Sequence, residues 1–331
     1  MRRSVWPLLL LLGACSGSDG DGASPSTGDD DDDALTPWSE VVTTQTGTCC
    51  HTVRPLMAFT TVEHEGFPAM YAMPEDPVGA LIVYHGTDGI LQTIQQVEYL
   101  ELYNLLYPRG IGIIATVSSN RDVKQWDTAP LPDNVDYPRV QTLLSLVAAE
   151  TGFEADMPLV SFGFSQGCSM AHLTGEQGPD AGQTVVGVVL HNCNRSGPLN
   201  QPVLFVDAEH DWQAEGMAAD AAAHPDGTLL EGHEIPLDPL RFAKLDFFSQ
   251  EESQRTFDDL VEMEMVDEDG VRVVDFGDEP EAIAERIANS DQLRWAADVA
   301  QQLRVVWSMH RVSAENKVAE AQWIEAQIRG E

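Results

Sequence analysis

Residues 158 to 174 constrain the fold more than any other stretch of this chain. Pro158 to Phe162 is a short apolar run with the character of a strand, and Cys168 to Thr174 reads as helix. Between them stands Gly163-Phe164-Ser165-Gln166-Gly167. A chain that turns from strand to helix over so few residues needs a sharp corner, and Gly-x-Ser-x-Gly can form one. The serine takes the strained position with its hydroxyl clear of the sheet, and side chains at Gly163 and Gly167 would collide with the neighbouring helix and strand. Ser165 is therefore the candidate nucleophile.

The rest of the chain supplies a sheet for that corner. Ala80 to Tyr84, Gly112 to Val117, Val185 to Leu190 and Val203 to Val206 are nearly continuous apolar runs, the mark of strands buried on both faces in a parallel sheet. Helical stretches fall between them, near 92 to 107, 140 to 150 and 214 to 223, so the pattern is that of an α/β fold. Thr228 to Leu230 reads as a short strand and Leu240 to Phe248 as a last amphipathic helix. From Ser249 the character changes. A hairpin is expected around Asp267-Glu268-Asp269-Gly270. Two helical stripes follow, Ile283, Ile287, Val299, Leu303 and Val306, then Val318, Ala321, Ile324 and Ile328. The expected division is an α/β domain over 47–250 and a mainly helical extension over 251–331, packed as an appendage away from the site.

A serine nucleophile needs a base, an acid to orient that base, and donors for the charge that develops on the attacked carbonyl oxygen. The donors are expected to be two backbone amides: Gln166, directly after the serine, and Thr87, in the turn Tyr84-His85-Gly86-Thr87 at the end of an earlier strand. With chain order Ser, acid, His, the acid falls in Asp207-Ala208-Glu209-His210-Asp211. Asp211 leads because it lies beyond the strand, with Asp207 as the alternative. His233, after the next short strand, has the position expected of the base; His191 and His210 compete but precede or adjoin the acid strand.

Together, His85-Gly86, the Ser165 pentapeptide, Asp211 and His233 resemble the α/β-hydrolase superfamily over roughly residues 55 to 250. Gly163 to Ala171 is similar to secreted polyhydroxybutyrate depolymerases and feruloyl esterases, with Cys168 where that elbow commonly has a second glycine. The resemblance implies a mostly parallel sheet with helices on both faces. It also implies an acyl-enzyme on Ser165, formed from a small or polymeric carboxylic ester with no metal or organic cofactor. A serine peptidase, or a non-catalytic envelope binding protein, are the other readings of the same scaffold. Asn192 to Gln201 is too short to form the helical cap that many such folds insert there, so an open site is expected unless the C-terminal helices fold back over it.

The N-terminus carries a separate message. Arg2 and Arg3 precede an apolar run, Leu8 to Leu12, too short to span a bilayer, which takes about 20 residues. Leu12-Gly13-Ala14-Cys15 resembles the lipobox of bacterial lipoproteins. That resemblance implies removal of residues 1–14, lipid on Cys15 and a cell-envelope location outside the cytoplasm, with an outer membrane allowed. Residues 15–46, with the acidic run Asp29 to Asp33, cannot bury enough apolar surface to order and read as a stalk. Among the other cysteines, Cys49, Cys50, Cys168 and Cys193, an exported chain can form disulfides. Cys168 should be buried or bridged, and Cys193 is a geometrically reasonable partner. A net charge of -36 repels phosphate backbones and argues against nucleic acid.

Overall fold

The computed structural model describes residues 37–38, 52–154, 156–195, 197, 199–275, 280–291, 293–313 and 315–331. Cys15, Cys49, Cys50, the expected signal segment and nearly all of the expected stalk lie outside the described residues. Trp38 is an exception. Its indole NH donates to Glu325 over 2.7 Å, and the guanidinium of Arg109 lies 3.6 Å from its ring centre.

Eight strands build one sheet. In chain order the elements are β1 (Thr60–His64), β2 (Phe67–Ala72), β3 (Gly79–Tyr84), α1 (Val97–Leu106), β4 (Ile111–Thr116), α2 (Asp136–Glu150), β5 (Pro158–Phe164), α3 (Cys168–Gln177), β6 (Thr184–His191), β7 (Val203–Ala208), α4 (Ala214–Ala223), β8 (Gly227–Gly232), α5 (Gln250–Glu262), α6 (Pro280–Ala288), α7 (Ala296–Val306) and α8 (Lys317–Arg329). The spatial order is β1-β2-β4-β3-β5-β6-β7-β8. β1 and β2 are antiparallel at one edge, and β4 to β8 run parallel with β3. A mostly parallel sheet with helices on both faces is the architecture expected from the sequence.

The apolar runs are continuous because both faces are covered. Along β3, Ile82 and Tyr84 pack with α2, α3 and α4 on one face, while Leu81 and Val83 pack with α1 and α8 on the other. All six residues of β3 are buried.

The C-terminal third departs from expectation in two ways. First, α8 is not part of an appendage: Ala321, Ile324 and Ile328 belong to the core on the α1 face of the sheet, with Val312 just ahead of them. Second, residues between β8 and α8 form an insert with an apolar centre of its own, including Leu237, Phe257, Leu260, Val299, Leu303 and Trp307. The expected helix over Leu240 to Phe248 shrinks to one 3-10 turn, Arg241–Lys244, because Leu245 turns to extended backbone. A full helix starts instead at Gln250, where Ser249 and Glu252 form a reciprocal capping box. The expected hairpin survives as a single bridge, Val266 to Arg272. Ile235 NH donates to the carbonyl of Val306 over 2.8 Å, so the insert leaves and rejoins the fold at one point.

If α8 completes the core, truncating one of its buried side chains should cost as much as a core deletion. Ile324, fully buried, should lose about 2–5 kcal/mol of unfolding free energy as Ile324→Ala. Urea unfolding of the full chain measures this; a loss under about 0.5 kcal/mol, usual for surface positions, would return α8 to the periphery.

Candidate active site

The corner at Ser165 has the form its sequence requires. β5 runs to Phe164, Ser165 adopts φ +52°, and α3 begins at Cys168. A non-glycine residue in this left-handed region costs on the order of 1 kcal/mol or more and persists only when its surroundings enforce it. Here they do. A Cβ at Gly163 would stand 2.6 Å from the Cα of Cys168, and one at Gly167 would strike the carbonyl oxygen of Tyr84. Cys168 is joined by a disulfide to Cys193, which tethers the start of α3 to the chain just beyond β6.

His310 is the imidazole that meets the serine. Its Nε2 lies 2.8 Å from Ser165 Oγ, and its Nδ1 lies 2.5 Å from Asp211 Oδ2. A carboxylate can only accept, so Nδ1 carries the proton and donates to Asp211, leaving Nε2 to accept the serine hydroxyl. Asp211 is buried, and its other oxygen accepts the backbone NH of Gln213 at 2.8 Å. The ring is flanked by Trp212, stacked at 4.2 Å between centroids, and by Phe164 at 5.1 Å.

The loop that carries His310 is strapped in place. Ser308, at φ +48°, donates its hydroxyl to the carbonyl of Gly232 and accepts the NH of Glu209. Its carbonyl accepts the NH of His210, and Asn192 Nδ2 donates to the carbonyl of Arg311. The ends of β6, β7 and β8 thus all hold this loop.

His233, expected as the base, is elsewhere. Its largely exposed ring stands 3.8 Å from Glu209, and its backbone NH donates to Glu315. The base was expected directly after β8, but the first histidine past the strand does not meet the serine. The chain detours through the insert from Ile235 to Val306 and supplies the base on its return. The available signal was positional: His310 falls between two amphipathic helical stripes, just before the last helix.

Asp207, the alternative acid, stays at the end of β7. Its Oδ1 accepts the NH of Ala208, and burial, with the Asp211 charge adding, pushes its carboxyl up to about 6. His191 pairs with Glu320 inside the core, and His210 pairs with Glu234.

Thr87 and Gln166 are brought toward the serine. Tyr84 is in register with Gly163 across the parallel β3–β5 pair, and a Cβ at Gly86 would lie 3.2 Å from the Cβ of Ser165. One loop braces both donor segments. Gln166 exchanges side-chain hydrogen bonds with the backbone NH and carbonyl of Trp126, whose indole NH donates to the carbonyl of His85. The ring of His85 locks the turn further. Its Nε2 accepts the NH of Ser118, so Nδ1 carries the proton and donates to the carbonyl of Gly86. Burial lowers the His85 pKa to about 4, which keeps the ring neutral.

Among the described residues no cluster of His, Cys, Asp and Glu is arranged to hold a metal ion, and no helix is long and apolar enough to cross a membrane. Chemically, the site pairs a hydroxyl with a base whose tautomer is set, next to a turn that can aim two backbone amides at a developing oxyanion.

No protein-family model and no curated protein matches this chain. Similar solved structures include an esterase of Pyrobaculum calidifontis, 15% identical, covering 64% of this chain and 86% of that one with a TM-score of 0.42. One of two fungal esterases from Rhizomucor miehei is 12% identical, with 55% and 76% covered and a TM-score of 0.41. A serine hydrolase without lid from Xanthomonas campestris is 14% identical, with 55% and 86% covered and a TM-score of 0.37. At these identities and scores the site rests on its own geometry.

The neutral His85 ring makes the turn acid-sensitive. Its folded pKa lies below the ordinary 6.5, so the unfolded chain takes up a proton that the folded chain does not as pH falls through the interval from 6.5 to about 4. Stability from this group is present above that interval and lost across it. The difference in unfolding free energy between wild type and His85→Gln should shrink by as much as about 3 kcal/mol from pH 7 to pH 4. Paired urea titrations check it; a difference that does not change with pH would remove His85 as the cause.

Proposed function

We propose that this chain is a serine hydrolase acting on carboxylic esters through an acyl-enzyme on Ser165. The observation that carries the reading is the continuous chain from Ser165 Oγ to His310 Nε2 and from His310 Nδ1 to Asp211. His310 takes the hydroxyl proton as Ser165 attacks the ester carbonyl, then returns it to the departing alcohol. Asp211 holds the reactive tautomer and stabilises the imidazolium that forms. The amides of Thr87 and Gln166 are assigned to the tetrahedral oxyanion. Water, deprotonated by the same imidazole, then releases the acid and restores the serine.

The proposed setting is the exterior face of a bacterial envelope membrane, with lipid on Cys15 holding the domain there. The motif Leu12-Gly13-Ala14-Cys15 supports this, and the Cys168–Cys193 disulfide agrees with an oxidising compartment.

Hydrolysis of short p-nitrophenyl esters tests the reading. Ser165→Ala and His310→Ala should each lower kcat/KM by at least about a thousandfold, and Asp211→Asn by roughly 10³–10⁴. His233→Ala should stay within about twofold of wild type, because its ring lies outside the hydrogen-bonded set. Loss of activity in His233→Ala with retention in His310→Ala would reverse the assignment. A folded wild-type chain that neither cleaves esters nor reacts with a fluorophosphonate at Ser165 would defeat the hydrolase reading.

A further inference from the structure

Beside Ser165 lies a cavity of about 620 Å³. It begins at the chemistry: Thr87, of the proposed oxyanion turn, and Phe164, which precedes the nucleophile, are both on its wall. Its far side is made by α1 and the insert, including Glu98, Lys244, Gln302 and Arg311. The expected open site is therefore walled on one side by residues of the C-terminal third.

The character of that wall is unusual for a pocket next to an ester-cleaving centre. Small-molecule pockets are lined predominantly by apolar side chains with a few polar groups. Here charged and amide side chains sit on the wall and are themselves buried: Glu98 at 4%, Lys244 at 1% and Gln302 at 4% exposed. They are held rather than loose. Gln302 Nε2 donates to Glu98 at 3.1 Å, Gln302 Oε1 accepts from Arg241 at 2.8 Å, and Lys244 donates to Glu101 at 3.2 Å. The Tyr99 hydroxyl, buried and on the same wall, has no hydrogen-bond partner among the described residues. The wall carries three cationic and four acidic side chains, so it has no strong bias toward a charged ligand.

Resting on the hydrolase reading of Ser165, we infer that this cavity selects esters bearing a neutral hydrogen-bonding group, such as a hydroxyl, over esters whose matching position is alkyl. An alkyl chain would gain about 0.8 kcal/mol for each methylene buried. It would also strip water from polar groups that still face the cavity, such as the half-buried Asp298, without replacing it, at about 1–3 kcal/mol for each group left short of a partner. A hydroxylated group meets donors and acceptors already fixed in place. Asp298, from α7 of the insert, is the specificity-determining residue.

The test uses matched pairs that exchange one hydroxyl for one methyl. Ethyl 3-hydroxypropanoate against ethyl butyrate probes the acyl half. 2-Hydroxyethyl acetate against propyl acetate probes the alcohol half. In wild type, the hydroxylated member of at least one pair should show kcat/KM about tenfold or more above its partner, and the pair that responds identifies which half enters the cavity. Asp298→Leu, which keeps the size of the side chain and removes the carboxylate, should bring that ratio to within about twofold of one. If Asp298→Leu does not fold, Asp298→Ala should lower the ratio in the same direction. Ratios near one, or favouring alkyl, in both pairs would overturn the inference while Ser165-dependent cleavage of p-nitrophenyl acetate left the hydrolase reading intact. A wild-type ratio unaffected in the variants would also overturn it. Absence of any Ser165-dependent cleavage would sink the hydrolase reading and this inference with it.

Discussion

The hydrogen bond from His310 to Asp211 organises this molecule. The carboxylate is buried and the ring nearly so, which makes the bond strong and also makes leaving either partner alone costly. Closing it requires two segments 99 residues apart in the chain to meet, and closing the next link to Ser165 spans 145. Much of the surrounding architecture is a solution to that demand. The ends of β6, β7 and β8 all fasten the loop around Ser308 to Arg311, and the insert is cinched at Ile235 and Val306 before the loop begins. The relay is thereby fixed by backbone contacts that do not depend on a ligand.

A second set of buried charges holds the insert against the sheet. Glu98 and Glu101 of α1 receive Arg241 and Lys244 from the insert, and Glu101 also receives Lys317 from α8. Burial lowers the Lys244 ammonium to about 8 despite its carboxylate partner, a sign of how fully this junction is dried. Buried ion pairs add little net stability against an apolar alternative, but losing one partner is expensive. Their effect is to give the insert one docked arrangement, and the cavity beside Ser165 takes its shape from that arrangement.

How much of this could be read from the chain depended on the range of the interaction. The corner at Ser165 was legible because the constraint is local: Gly163 and Gly167 are demanded by atoms only a few residues away or on a paired strand. The strands were legible because continuous apolar runs mean two covered faces. Asp211 was legible from its place after β7. His310 was not, because proximity along the chain favoured His233, and nothing local says that the excursion between β8 and its loop is closed on itself. The role of α8 was missed for a related reason. Its stripe of Ala321, Ile324 and Ile328 announced a helix with one apolar face, but an apolar face does not name the surface it will cover. The cavity lining was beyond reach altogether, since α1 and α7 contribute to it from far apart in sequence.

The position of the insert has a consequence for the order in which a working molecule comes into being. A ribosome releases Ser165 and Asp211 long before residue 310, and the helix that seals the α1 face of the sheet follows later still. A nascent chain holding Ser165 and Asp211 therefore lacks the imidazole that meets the serine and has an unsealed core. The hydrogen-bonded chain from Ser165 through His310 to Asp211 cannot close in it, nor in any fragment truncated before His310.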